Sequence, residues 1–335
     1  MFYNSCFLKE IVIANNKIII KSPNNDLIDK IKNNDSNKFR YYDFKQIVKK
    51  SNKIEIKGTT IHYNFHSNNI AHFLYDTFFH LMYIFETCKN NNIKIDNLML
   101  YIENDDLRKF DFNKECIHKK GNYNEASHFW CMSVLLSYIH DLNINLIIQK
   151  KDLNYSCENI ILVGEDRGLR FPTLANILKN KVLKYINLKT DVLVDILVYN
   201  RRDSGRRIIL NDVELVNRLE EHKLKVKLID SFSNISFYEQ IKLLNSCKTF
   251  ISPTGANMTN IVFMNRDINI LEVKSLDSWP LVWGTYKLFE KYCFVKNKVV
   301  FNENKSNPNG TIQENPELDN NFKINVDDAL KFILN

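Results

Sequence analysis

Between residues 195 and 275 the chain repeats one pattern: a short run of consecutive apolar residues, then a helix-length segment, then another apolar run. The runs are DILVYN, KVKLID, KTFISP and INILEVK, and the segments between them are residues 211–222, FYEQIKLLNSC and ANMTNIVFM. Strands that are apolar on both faces belong in a parallel sheet covered on both sides, and each return to a parallel neighbour needs a crossover connection. The pattern therefore predicts an α/β domain built on a parallel sheet, with ligands bound beyond the carboxyl ends of its strands. Those ends are polar here and carry Arg201, Arg202, Thr254, Gly255 and Glu272.

Upstream the signal is weaker. The first 60 or so residues are β-prone pieces (EIVIA, KIIIKS, KIEIKG) joined by Asn-, Asp- and Lys-rich connectors. Residues 68–89 place Ile70, Leu74, Phe78, Leu81, Met82 and Phe85 at helical spacing. Beyond them DNLMLYIE and ENIILVGE read as buried strands flanking the helical stretch SHFWCMSVLLSYIHDL. A chain of 335 residues suits two α/β domains. The expected divisions are 1–190, 191–300, and a mobile loop with a closing helix over 301–335.

Composition narrows the function classes. At 44% hydrophobic and 25% charged the chain is globular, neither collagen-like, disordered nor a disulfide scaffold. The net charge of +7 comes from dispersed basic residues, which excludes a nucleic-acid stripe and favours a small anionic substrate. Seven cysteines without a C-x-x-C pair fit a reducing compartment and suggest neither a disulfide framework nor a zinc site. With no apolar window of membrane-spanning or signal-peptide length, a cytoplasmic protein without integral membrane segment is expected. The heavy use of Asn points to an AT-rich genome, viral sources included, and makes the sequons at Asn154, Asn234, Asn257, Asn304 and Asn309 chance matches.

Four local groups could carry chemistry. In SPTGANMTN, Gly255 lets backbone approach a ligand, the following helix offers its amino end to an anion, and Thr254, Ala256, Asn257 and Thr259 surround it. Alone, this also fits a plain strand-to-helix turn. In NRRDSGRRI, Arg201, Arg202 and Arg207 follow a strand end, where guanidinium forks suit a diphosphate; a solvated basic turn has the same sequence. Glu272, on a neighbouring strand, suits ribose hydroxyls or a surface ion pair. Asn69, His72, Asp76 and His80 share one side of the 68–89 helix, with Asp76 one turn after His72. That face can supply a base near neutral pH, or simply satisfy itself at the surface.

Taken in order, these groups resemble glycosyltransferase family 61, which includes protein O-linked N-acetylglucosaminyltransferases, plant xylosyl- and arabinosyltransferases and bacterial polysaccharide enzymes. Its N-x-x-H-x-x-x-D helix is matched by Asn69, His72 and Asp76, and its arginine element by Arg201, Arg207, Ile209 and Asn211. The helix from Ser236 to Cys247, the loop SPTGANMTNIVF and Glu272 follow in the family's order. The resemblance covers about residues 62–290; a His common in the family's glycine loop is Thr254 here.

The resemblance implies a GT-B fold, two Rossmann-like domains facing a central cleft. It implies inverting transfer from a nucleotide sugar, a UDP-sugar, to a hydroxyl on a glycan or protein, with no metal and no cofactor beyond the donor as co-substrate. By the same carry-over His72 and Asp76 are catalytic, either of them the base. Arg201, Arg202, Arg207, Thr254, Gly255, Ala256, Asn257, Thr259 and Glu272 bind the donor, and Asn69 and His80 lie on the acceptor side. The competing expectations are a catalytically inactive nucleotide-sugar or glycan-binding protein of the same fold, and an epimerase or phosphorylase of similar fold.

Overall fold

Each apolar run in the carboxyl-terminal half becomes a strand of one parallel sheet. The computed structural model describes residues 5–14, 17–20, 43–45, 53–150, 152–164, 172–188, 194–264, 268–275, 296–302, 321 and 323–334. Of the loop expected over 301–321, residues 303–320 lie outside the described residues, as does the boundary expected near 190, while Phe301 and Asn302 end a strand. Two compact units emerge: residues 1–112 with 138–174, and residues 113–137 with 175–335. The second unit thus draws a piece from the middle of the chain.

The first unit is built on a seven-stranded mixed sheet. Its strands are β1 (Ser5–Ala14), β2 (Lys17–Ile20), β3 (Asp43–Lys45), β4 (Lys53–Asn64), β5 (Asn97–Tyr101), β6 (Asn145–Ile148) and β7 (Asn154–Val163). The order is β3-β2-β1-β7-β4-β5-β6. Strand β1 runs antiparallel to β2 and β7, whereas β4 is parallel to both β5 and β7. Strand β4 shifts register between Ile56 and Thr59. There Gly58 adopts φ +79°, and a Cβ would lie 2.2 Å from Asp96 Oδ2, so the bulge requires glycine. Buried His62 hydrogen-bonds Gln149 at 2.8 Å, and burial lowers its pKa to about 4, leaving a neutral ring tying β4 to the chain beyond β6.

The helical stretch after β4 begins where expected. Asn69 caps it, accepting from the amides of Ala71 and His72 at 2.9 and 3.3 Å. Residues Phe73–Phe78 wind as a π-helix before α1 (Phe79–Asn90) resumes. The π-turn carries Asp76, in keeping with the frequent use of such irregularities at functional positions.

The second unit holds five parallel strands: β8 (Ile196–Tyr199), β9 (Val226–Ile229), β10 (Thr249–Pro253), β11 (Asn269–Ser275) and β12 (Lys296–Asn302), in the order β12-β11-β10-β8-β9. Helices α4 (Asp212–Glu221) and α5 (Phe237–Ser246) make two of the crossovers; α2 (Tyr123–Ile139) and α3 (Pro172–Ile186) precede this sheet in the chain. A capping box starts α5, with Ser236 and Glu239 satisfying each other's backbone amides. Ile196, Val198, Ile251, Leu271 and Val273 of the sheet pack with Leu215 and Leu219 of α4 and with Ala329 and Leu330 of α6 (Val326–Leu334), the closing helix. The expected α/β class with a Rossmann-like parallel sheet is present. No helix of the described residues is long and apolar enough to cross a membrane.

Candidate functional site

In the parallel sheet the chain leaves β8 for β9 on one side, then returns to form β10 on the other side of β8. Between β8 and β10 the connections therefore diverge, opening the crevice in which sheets of this kind bind ligands. The residues that enter it are those following Tyr199 and Pro253.

The loop after β8 is closed by a side chain. Buried Asn200 accepts from the Ile209 amide at 2.6 Å and donates to the Ile209 carbonyl at 2.9 Å, gripping one residue with both ends of its amide. Within that closure Arg201 and Arg207 adopt left-handed backbone, φ +51° and +57°. Such conformations cost a non-glycine residue about 1 kcal/mol or more and concentrate at functional sites. They deliver both guanidinium groups to one atom: Nη1 of each donates to the Thr254 carbonyl, at 3.1 Å from Arg201 and 3.0 Å from Arg207. Arg201 is 5% exposed, and its Nε has no hydrogen-bond partner among the described residues.

Thr254 and Gly255 receive these arginines. The Thr254 amide donates to the Val273 carbonyl at 3.0 Å and its Oγ1 to Glu272 Oε1 at 2.7 Å, which pins the turn to β11. The backbone of Gly255 is extended, so its φ does not demand glycine; close approach does, because a Cβ would lie 2.5 Å from Arg201 Nη1. Residues Ala256–Phe263 then form a 3-10 helix, where an α-helix was expected. Its poorer hydrogen-bond geometry makes its amino end a weaker anion site than an α-helix offers, so the positive charge here comes chiefly from the arginines.

Arg201, Arg207, Thr254, Gly255 and Glu272 are thus brought together, with half-buried Ala256 and Asn257 beside them. Two other expected site residues, Arg202 and Thr259, sit differently. Arg202 is bound through Nη2 to both oxygens of Asp212, at 2.7 and 2.6 Å, and through Nε to Asp230 at 3.0 Å, so two carboxylates neutralise it within the loop. Thr259 is fully buried beneath the surface. Glu272 is only 2% exposed and supports Thr254.

Several supporting residues had no signal of their own in the sequence. Tyr199 stacks on Phe232 with ring centroids 4.6 Å apart, and its hydroxyl accepts from Asn257 Nδ2. Burial, followed by the charge of Asp203, raises its pKa above that of an ordinary tyrosine, so the phenol stays neutral. Trp130 of α2 donates from Nε1 to Asn260 Oδ1 at 2.8 Å and meets Phe237 and Phe263 edge-on, anchoring the 3-10 segment. Asp212, nearly inaccessible, accepts from Arg202, Asn200 and the Val213 amide. Removing that acceptor orphans several donors at once, so Asp212→Ala is expected to cost about 2–3 kcal/mol. In thermal denaturation this should appear as a midpoint lowered by roughly 5–10 °C. A midpoint within a degree of the wild-type value would refute a structural role for the Arg202–Asp212 pair.

In the first unit, His72 Nδ1 and Asp76 Oδ2 are 2.8 Å apart, with side chains 50% and 10% exposed. An ionised Asp76 can only accept, so it fixes the proton on Nδ1 and leaves Nε2 as the basic nitrogen. The expected one-sided polar stripe is corrected at His80, which is buried with Nδ1 on the Gly164 carbonyl at 2.8 Å. The physical reason is that this helix is covered nearly all round: Phe73, Leu74, Phe78, Phe79, Leu81 and Met82 are buried too, so a polar residue there must bond within the unit.

The family profile described as Glycosyltransferase 61 matches residues 70–271, from just after Asn69 to just before Glu272. The chain is also similar to the EGF domain-specific O-linked N-acetylglucosamine transferase of Gallus gallus, 25% identical over 150 residues. That match takes in 40% of this chain and only 25% of the relative's length. With more than half of its residues inside the family match, including the His72–Asp76 pair, the arginine loop and the glycine turn, the chain belongs to glycosyltransferase family 61.

Proposed function

We propose that this chain moves a sugar from a nucleotide-sugar donor, a UDP-sugar, to a hydroxyl of a glycan or protein, inverting the anomeric carbon and using no metal. The observation that carries the reading is the convergence of Arg201 and Arg207 on the Thr254 carbonyl beside Gly255, at the divergence of β8 and β10. Two guanidinium groups held at one point form a diphosphate clamp of the kind that can replace a divalent cation.

In this mechanism the acceptor oxygen attacks the anomeric carbon while the bond from that carbon to the diphosphate oxygen breaks. The hydroxyl proton passes to His72 Nε2, and Asp76 holds the ring and stabilises the imidazolium. His72 is the better base on geometry, because its ring is half exposed while Asp76 is covered. Arg201 and Arg207 stabilise the charge that develops on the departing diphosphate. Thr254, Gly255, Ala256 and Asn257 line the donor; Glu272 reaches ribose once Thr254 yields it. The reading has the second unit bind the donor and the first unit the acceptor, across the cleft of a GT-B arrangement, in the cytoplasm. The similarity to an O-linked N-acetylglucosamine transferase supports the transferase reading over an inactive binding protein.

Thermal shift against nucleoside diphosphates and nucleotide sugars, with and without EDTA, tests it. A ligand at a hundred times its Kd adds about 2.7 kcal/mol. The expected result is a midpoint raised by roughly 5–10 °C by UDP or one UDP-sugar, unchanged by the chelator. No shift with any nucleotide in folded protein would remove the donor site, and a shift abolished by EDTA would remove metal independence.

A further inference from the structure

The arginine loop is held from outside by a segment that lies over a hundred residues further along the chain. Asn321, 4% exposed, accepts from the Ile208 amide through Oδ1 at 2.9 Å. Three residues later the Ile324 amide donates to Asn211 Oδ1 at 2.9 Å, and Asn211 Nδ2 donates to the Ile324 carbonyl at 3.1 Å. Ile324, Val326, Ala329 and Leu330 then pack with Ile209 and with the strands of the parallel sheet, so this segment is anchored in the core of the second unit.

The consequence concerns Arg207. Its left-handed backbone is disfavoured for any residue with a Cβ, and it persists only where the surroundings over-determine it. The two peptide groups that follow it are each held by an asparagine side chain, the Ile208 amide by Asn321 and the Ile209 amide by Asn200. Fixing the Ile208 N–H fixes the plane of the peptide bond leaving Arg207, and with it the torsion that aims the guanidinium at the Thr254 carbonyl. Without the outer asparagine, the peptide leaving Arg207 loses one of its two asparagine restraints, and the left-handed backbone is held less firmly against the favoured right-handed region.

We propose that Asn321 is a positioning residue for donor binding: its side-chain oxygen holds Arg207 in the left-handed conformation that the diphosphate clamp requires. The proposal rests on the donor-site reading above, and two measurements separate the one from the other. Amide hydrogen exchange over Arg207–Ile209 in unliganded protein reads the clamp alone, and UDP titration reads its effect on the ligand. Asn321→Leu keeps the volume and loses the acceptor; Asn321→Asp keeps an acceptor at the same place.

For Asn321→Leu the exchange should be about tenfold faster and the Kd for UDP about tenfold higher, as expected for one orphaned buried N–H. For Asn321→Asp both should stay within about threefold of the wild type, because the Ile208 bond survives. Wild-type exchange and affinity in Asn321→Leu would overturn the proposal. So would equal losses in the leucine and aspartate variants, which would assign the residue to packing. Faster exchange in Asn321→Leu with no UDP binding by the wild type would uphold the clamp and refute the donor site.

Discussion

Replacing His72 by alanine, or Asp76 by asparagine, is expected to lower kcat by about 10²- to 10⁴-fold, the usual contribution of a positioned general base. The Kd for UDP should stay within about twofold, because neither residue belongs to the arginine clamp. The two variants fail for different reasons. Alanine removes the nitrogen proposed to take the proton. Asparagine leaves the imidazole in place, but it offers no charge to stabilise the imidazolium and no longer fixes the proton on Nδ1. Steady-state kinetics beside calorimetric titration would separate them, with turnover measured across pH. If His72→Ala retains turnover and Asp76→Asn does not, Asp76 is itself the base; if both retain it, the base lies outside this pair.

The second large effect is on affinity. Arg201→Met keeps much of the side-chain volume and removes the charge, and should raise the Kd for UDP about a hundredfold, roughly 3 kcal/mol for two charge-assisted bonds to phosphate. Gly255→Ala should approach that effect without touching an ionisable group. Its methyl would occupy the space 2.5 Å from Arg201 Nη1, and because Arg201 is buried the guanidinium can move only by giving up the Thr254 carbonyl. The two losses share one cause, so they should not add: in the Arg201→Met background Gly255→Ala should cost about twofold or less. Additive losses would mean that Gly255 acts on the ligand directly and that the arginine contact is incidental.

The parts of this fold that were legible in sequence are those set by short-range pattern. Runs such as ILVY became central parallel strands because nothing but burial suits four consecutive apolar residues bounded by turns. The convergence of Arg201 and Arg207 on the glycine turn was legible as a type of site, from basic residues and glycine at strand ends. Its members were not fully legible, because a sequence does not show which charges are already matched. Arg202 and Arg201 are adjacent and chemically identical, yet Asp212 and Asp230 claim the former. His80 misled for a related reason: helical spacing fixes direction, whereas the depth of cover over that direction belongs to tertiary packing. Asn200, Asn260 and Asn321 were invisible because Asn is abundant throughout the chain, and these residues and Trp130 act on partners far away in sequence or through a closure that spacing does not suggest.

The way the second unit gathers its pieces bears on how it is made. Trp130 leaves the ribosome 130 residues ahead of the Asn260 it must meet, and Ile208 waits 113 residues for Asn321. Contacts of such span close large loops before they return any stabilisation, and they slow folding accordingly. The helix around Trp130 therefore emerges with apolar surface that has no partner until most of the parallel sheet exists, and the turn holding Gly255 cannot settle before that. Synthesis from the amino terminus thus completes the hold on the arginine loop only after residue 321 has emerged, and a nascent chain arrested between Glu272 and Asn321 has Arg201, Arg207 and their Asn200–Ile209 closure in sequence but not the asparagine that fixes the Ile208 amide.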